Sequence, residues 1–123
     1  MKAVFVETTG FTEAVQELLD DSGYSQLQQE LMDNPLKGVP IPGCPILRKV
    51  RVADPRRGKG KRGGSRVIYL HLPEFNLFFM LDIYSKGEQE NLTPSEIKLL
   101  CRLAQTLKTE VKRTLYGIRF RRK

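Results

Sequence analysis

The spacing of apolar and polar positions changes along this chain, and each change marks an element. Ala3–Glu7 (AVFVE) is a short β-branched and aromatic run that predicts a strand. Thr8, Thr9 and Gly10 interrupt it. Val15, Leu18 and Leu19 then recur at helical spacing, which predicts a first helix from about Thr12 to Asp20. Ser22-Gly23 reads as a break. A second helix follows, with Tyr24, Leu27, Leu31 and Met32 on one stripe. It ends at Asn34, because the residue before Pro35 is pushed out of the α region.

Residues 35–45 hold four of the seven prolines and two glycines, which predicts a connector without regular structure. Ile46–Ala53 alternates as a strand, with Leu47, Lys49 and Arg51 on one side and Ile46, Arg48, Val50 and Val52 on the other. Asp54–Gly64 is a basic, glycine-rich loop. Arg66–Leu72 is a second strand, and Pro73-Glu74-Phe75-Asn76 contains a hairpin turn. Leu77–Tyr84 is nearly all apolar and is expected at the centre of the sheet. Strict alternation puts Leu77, Phe79, Leu81 and Ile83 on one face and Phe78, Met80, Asp82 and Tyr84 on the other.

Thr93-Pro94-Ser95-Glu96 has the form of a capping box with proline in the first turn. The helix it opens carries Ile97, Leu100, Leu103, Leu107 and Val111 inward at three- and four-residue steps. Gly117 is expected to end it, leaving about 113–123 as an exposed basic tail of a single domain, 1–123. The order β-α-α-β-β-β-α argues for an α+β domain, with a small antiparallel or mixed sheet of about four strands packed with helices.

Charge sharpens this picture. Arg48–Arg66 holds nine basic residues and one acid, Asp54, a local balance of +8. Residues 98–123 carry another +8, whereas 1–47 and 67–97 carry −5 and −4. Charge gathered by sign in this way is the footprint of a polyanion binder, so RNA or DNA phosphate is the leading partner. Cys44 and Cys101 stand far apart with no CxxC motif, and both are expected reduced, as small hydrophobes of a cytoplasmic protein. No stretch approaches the length of a membrane span, and no membrane partner is expected.

The chemistry is narrowed by what is missing. His71 is the only histidine, and it reads as a strand residue without a catalytic role. No group of acids has metal-ligand spacing, and Gly60–Ser65 is not a phosphate-binding GxxxxGK[ST] loop. No metal and no cofactor is expected. What remains is a site built from cations and a phenol: Lys49 and Arg51 on one strand face, Arg66 opening the next strand, and Tyr84 and Lys86 at the end of the third. Asp82 is expected to satisfy a neighbouring cation.

Four segments resemble the HigB/RelE superfamily, toxins of bacterial type II toxin–antitoxin modules. They are LRKVRV (47–52), KGKRGGSRVIY (59–69), FFMLDIYSKGE (78–88) and NLTPSE (91–96). The resemblance runs from the first strand to about Val111, and the second segment is specific to a HigB-like branch. It implies a RelE-like fold and a cofactor-free, ribosome-dependent mRNA endonuclease. It also implies a cognate antitoxin, often of helix-turn-helix type, and it includes relatives that poison gyrase.

Carried over by motif, Lys49 and Arg51 match the family's K-x-[KR], Arg66 matches G-x-R-[LV]-[VI]-Y, and Lys86 falls in its last cationic segment. Gly87 stands where some relatives have arginine, and Thr93 lies near where they have a catalytic tyrosine, for which Tyr84 would substitute. Transesterification by the ribose 2′-OH then needs Lys49, Arg51 and Arg66 on the phosphorane and Lys49 or Tyr84 as base. Arg48, Arg57, Lys59, Lys61 and Arg62 would hold flanking RNA backbone on mRNA and ribosomal RNA. The alternatives are a non-catalytic nucleic-acid-binding protein and a gyrase-directed toxin of the same fold.

Overall fold

The computed structural model describes residues 2–53, 55, 58, 60, 64–89 and 91–121, the last six of these by backbone alone. In chain order the elements are β1 (Val4–Glu7), α1 (Thr9–Leu18), α2 (Asp21–Asp33), β2 (Val39–Ile41), β3 (Cys44–Val52), β4 (Ser65–Leu72), β5 (Leu77–Ser85) and α3 (Pro94–Arg121). The strands form one sheet ordered β1-β5-β4-β3-β2. All neighbours are antiparallel except β1 and β5, which run parallel, so the sheet is mixed. The α+β class holds, with five strands where about four were expected. β4, not β5, is the middle strand.

The caps explain the first boundaries. Thr8 accepts from the Phe11 N–H at 3.1 Å, so α1 begins at Thr9, three residues before the expected start. Asp20 accepts from the Gly23 N–H at 2.7 Å. The interruption therefore falls at Leu19-Asp20, and Ser22-Gly23 lies in the first turn of α2. Part of the expected connector is the strand β2, paired with β3. Pro40 is tolerated there because β2 is an edge strand. Tyr69, wholly buried, anchors the approach to β2: its hydroxyl donates to the Pro35 carbonyl at 2.7 Å and accepts from the Gly38 N–H at 3.0 Å. At the other end of the chain, Gly117 does not stop α3, whose helical backbone continues to Arg121. One glycine costs only about 1 kcal/mol against alanine.

Each sheet face has its own core. On one, Phe11, Val15, Leu18, Leu27 and Leu31 of α1 and α2 cover Val50, Val67, Tyr69, Phe78, Met80 and Ile83. Phe78 stacks between Phe5 (centroids 4.7 Å apart) and His71 (4.4 Å), so the histidine is a packing residue of this layer. On the other, α3 brings Ile97, Leu100, Ala104, Leu107 and Val111 onto Leu47, Ile68, Leu70, Phe79 and Leu81. Leu103, expected inward, is 38% exposed.

A bulge in β5 decides which side chains face α3. Ile68 pairs with Asp82, but Tyr69 pairs with Met80, leaving Leu81 as the extra residue. The Leu81 carbonyl accepts from the Thr8 hydroxyl at 3.0 Å. Strict alternation fails across this point. Ile83 joins the α1/α2 face, and Leu81 and Tyr84 join the α3 face.

Cys44 and Cys101 form a disulfide between β3 and α3, with Cα atoms 5.8 Å apart. The expectation of two reduced cysteines is thereby corrected. The inward face of α3 sets Cys101 over the start of β3, a proximity that their separation of 57 residues conceals.

Candidate active site

The strand register gathers the candidate residues. Arg51 of β3 pairs with Arg66 of β4, which pairs with Tyr84 of β5. One row along, Lys49 pairs with Ile68, which pairs with Asp82. Antiparallel partners lie about 4.5–5.5 Å apart, so the first row brings two guanidiniums and a phenol side by side. Lys86 follows in the turn after β5, where its N–H donates to the Gly64 carbonyl at 3.1 Å. Only glycine fits at 64, since a Cβ there would collide with the Val52 carbonyl. The end of the basic loop is thus held beside Lys86.

Depth separates the roles. Arg66 and Tyr84 are 4% and 7% exposed and form the floor, whereas Arg51 and Lys86 are exposed and Lys49 is half-buried at the rim. Burial, and then the neighbouring Arg51, lowers the pKa of the Arg66 guanidinium, with Tyr84 opposing. Burial raises the Tyr84 phenol above its usual range; Arg66 opposes this, and Asp82 and Glu96 add to it. The phenol therefore keeps its proton at neutral pH, and no protein group among the described residues bonds its oxygen. A protonated phenol can give a proton and cannot take one.

Asp82, half-buried, is in no ion pair among the described residues, contrary to the expectation that it satisfies a cation. Its Oδ1 accepts the Ile83 N–H at 2.9 Å. Burial raises its pKa; the Ile83 N–H opposes this, and Glu96 adds to the rise. A carboxyl of this kind is a better-matched proton acceptor than an ordinary surface aspartate.

The connector from β5 to α3 closes one side. Lys49 Nζ donates to Asn91 Oδ1 at 3.4 Å, and Gln89 Nε2 donates to the Asn91 carbonyl at 2.9 Å and to Glu96 Oε1 at 2.7 Å. The expected capping box is present, with Thr93 N–H to Glu96 Oε1 at 2.8 Å and Glu96 N–H to Thr93 Oγ1 at 3.2 Å. Glu96 is held ionised chiefly by the Thr93 N–H. Sequence reasoning passed over Asn91, Gln89 and Glu96 as site neighbours. The box motif fixed where α3 begins, not what its first turn faces.

Arg48 is not brought to the site. It leaves β3 on the opposite side from Lys49, and its Nη1 donates to the carbonyls of Gly38 (2.6 Å) and Leu36 (3.4 Å). Arg57, Lys59, Lys61 and Arg62 lie outside the described residues. Among the described residues no group of three or more His, Cys, Asp or Glu is placed to hold a metal.

A mixed sheet with a cationic corner at the ends of three strands defines a small α+β protein. The family model for the RelE toxin of the RelE/RelB toxin–antitoxin system matches residues 11–119, and the chain belongs to that family. Among solved structures, a mutant of the E. coli toxin RelE in the free state superposes with a TM-score of 0.51 at 16% identity. The match covers 73% of this chain and 90% of that one, and the shared property is the fold.

Proposed function

We propose that this chain is the toxin of a type II toxin–antitoxin module and acts in the cytoplasm as a ribosome-dependent mRNA endonuclease. The observation that carries the reading is the cross-strand row Arg51–Arg66–Tyr84, with Lys49 and Asp82 in the next row. Two guanidiniums side by side with a phenol concentrate positive charge and a proton donor at one place on the sheet. They suit a site that stabilises developing negative charge on a phosphate.

In this mechanism Asp82 takes the proton of the ribose 2′-OH. The O2′–P bond forms as the P–O5′ bond breaks, and the Tyr84 phenol protonates the departing 5′ oxygen. Arg51, Arg66, Lys49 and Lys86 hold the phosphorane charge, and the basic loop grips the flanking backbone. The products are a 2′,3′-cyclic phosphate and a 5′-OH. Family membership further implies a cognate antitoxin that neutralises the chain.

Arg66→Met tests the reading. The variant's fold is checked first by circular dichroism and by its Tm. The variant should lose about 10²–10³-fold in mRNA cleavage by the purified protein with translating ribosomes. Undiminished cleavage by a folded R66M chain would remove the floor guanidinium from the mechanism.

A further inference from the structure

The two halves of the Cys44–Cys101 disulfide differ in access. Cys44 is 1% exposed, whereas Cys101 is half-buried and lines a groove of about 770 Å³ between the β2–β3 turn and α3. Pro42 and Gly43 stand on one side of this groove, and Ile97, Lys98, Cys101 and Arg102 on the other. The turn beside Cys44 is open, since a Cβ added at Gly43 would meet nothing within 4 Å. Lys98 and Arg102 are exposed, one helical turn apart, and in no ion pair among the described residues. No acid among the described residues lines the groove. A sulfur flanked by unpaired cations is one at which a thiolate is favoured. In the cytoplasm, where thiol pools keep most cysteines reduced, a disulfide is typically one that exchanges.

We infer that the groove is a thiol-exchange site for a small thiol carrying carboxylates, which enters at the Cys101 sulfur. Its volume is that of a small-molecule site. The carboxylates of the thiol meet Lys98 and Arg102, and its thiolate attacks Cys101 Sγ. The new S–S bond forms as the Cys44–Cys101 bond breaks; Cys44 leaves with the electron pair and takes a proton from water. A second thiolate attacks the small-molecule sulfur of the mixed disulfide, and Cys101 leaves as a thiolate beside the two cations. Two thiols and one protein disulfide thus become two protein thiols and one small disulfide. In the reverse direction Cys101 is the sulfur that a small disulfide modifies, and buried Cys44 resolves the adduct. Opening the bond removes the covalent tie between β3 and α3. The exchange uses no residue of the cationic row, so it holds whether or not the chain cuts RNA.

The test uses the full oxidised chain, with glutathione (two carboxylates), 2-mercaptoethanol (neutral) and cysteamine (cationic) as probes. Intact mass after acid quench follows the mixed disulfide and the released protein thiols, and peptide mapping locates the adduct. Each thiol is compared with itself on wild type and on K98Q/R102Q, which removes differences in intrinsic nucleophilicity. The variant should slow glutathione about tenfold at low salt, the scale of two exposed charge pairs. It should leave 2-mercaptoethanol unchanged and should not slow cysteamine. Added salt should erase most of the wild type's preference for glutathione. Given oxidised glutathione, C44S should accumulate the adduct on Cys101, and C101S should react far more slowly at Cys44.

The inference is overturned if K98Q/R102Q slows all three thiols alike or none of them. It is also overturned if the adduct maps to Cys44, or if the wild-type disulfide resists glutathione altogether. Should C44S fold poorly, the adduct trapped on the wild type by acid quench carries the assignment.

Discussion

Asp82 carries a charge in a place that resists it. Its ordinary pKa is 3.8, and burial raises it in the folded chain. A carboxyl raised on folding contributes stability below its unfolded value and loses it as pH rises through the folded value. At neutral pH the ionised group is therefore a cost. Asp82→Asn, which retains an acceptor for the Ile83 N–H, should raise Tm at pH 7, and the gain should vanish below about pH 3.8. The same variant should lose cleavage. A Tm at pH 7 no higher than wild type would mean that Asp82 has a compensating partner.

His71 shifts the other way: burial, and then Arg48, lowers its pKa below 6.5. Its contribution is present above pH 6.5 and declines as pH falls below it. Urea midpoints of His71→Gln should consequently fall less steeply than wild type between about pH 6.5 and 5. Equal slopes would remove His71 from the acid response. These environments were half legible in the sequence. Alternation placed Lys49 and Arg51 on one face correctly, but period-2 reasoning cannot see the bulge at Leu81 that moves Ile83 to the opposite layer.

Among the elements, α3 is held by contacts distant in sequence. The Lys112–Glu74 pair, at 3.6 Å and well exposed, adds little to holding it. The apolar row from Ile97 to Val111 and the Cys44–Cys101 bond fix it to the sheet. Closing a loop of this length constrains the unfolded chain by roughly 4 kcal/mol in the chain-entropy account. Replacing both cysteines by serine should lower Tm by several degrees. Dithiothreitol should bring the wild type toward the variant and leave the variant unchanged. A wild type indifferent to reductant would contradict the bond's role.

The helices and the three long strands were readable because each repeats a strong local period. β2 was not, since Pro40 and Pro42 hide an edge strand whose evidence is its partner, β3. The disulfide was hidden for the same reason: it is a relation between elements, invisible in either one.

For the molecule as a whole, the segregated charge and the fold give one account. The acidic N-terminal block builds helices that cover one sheet face, and the basic strand ends converge on the other. The family was legible because its cationic motifs fall on β3, β4 and the end of β5, which the topology makes neighbours. The depth of each group was not: Tyr84 and Arg66 lie at the floor, and Lys49 lies at the rim. The central claim is that this corner cuts RNA by internal transesterification. The most direct measurement maps the ends left on a defined mRNA by the purified chain, with and without ribosomes and in the presence of a chelator. The account expects cuts on ribosome-bound message that leave 2′,3′-cyclic phosphate and 5′-OH ends, unaffected by the chelator. Intact message, or ends bearing a 5′ phosphate, would contradict it.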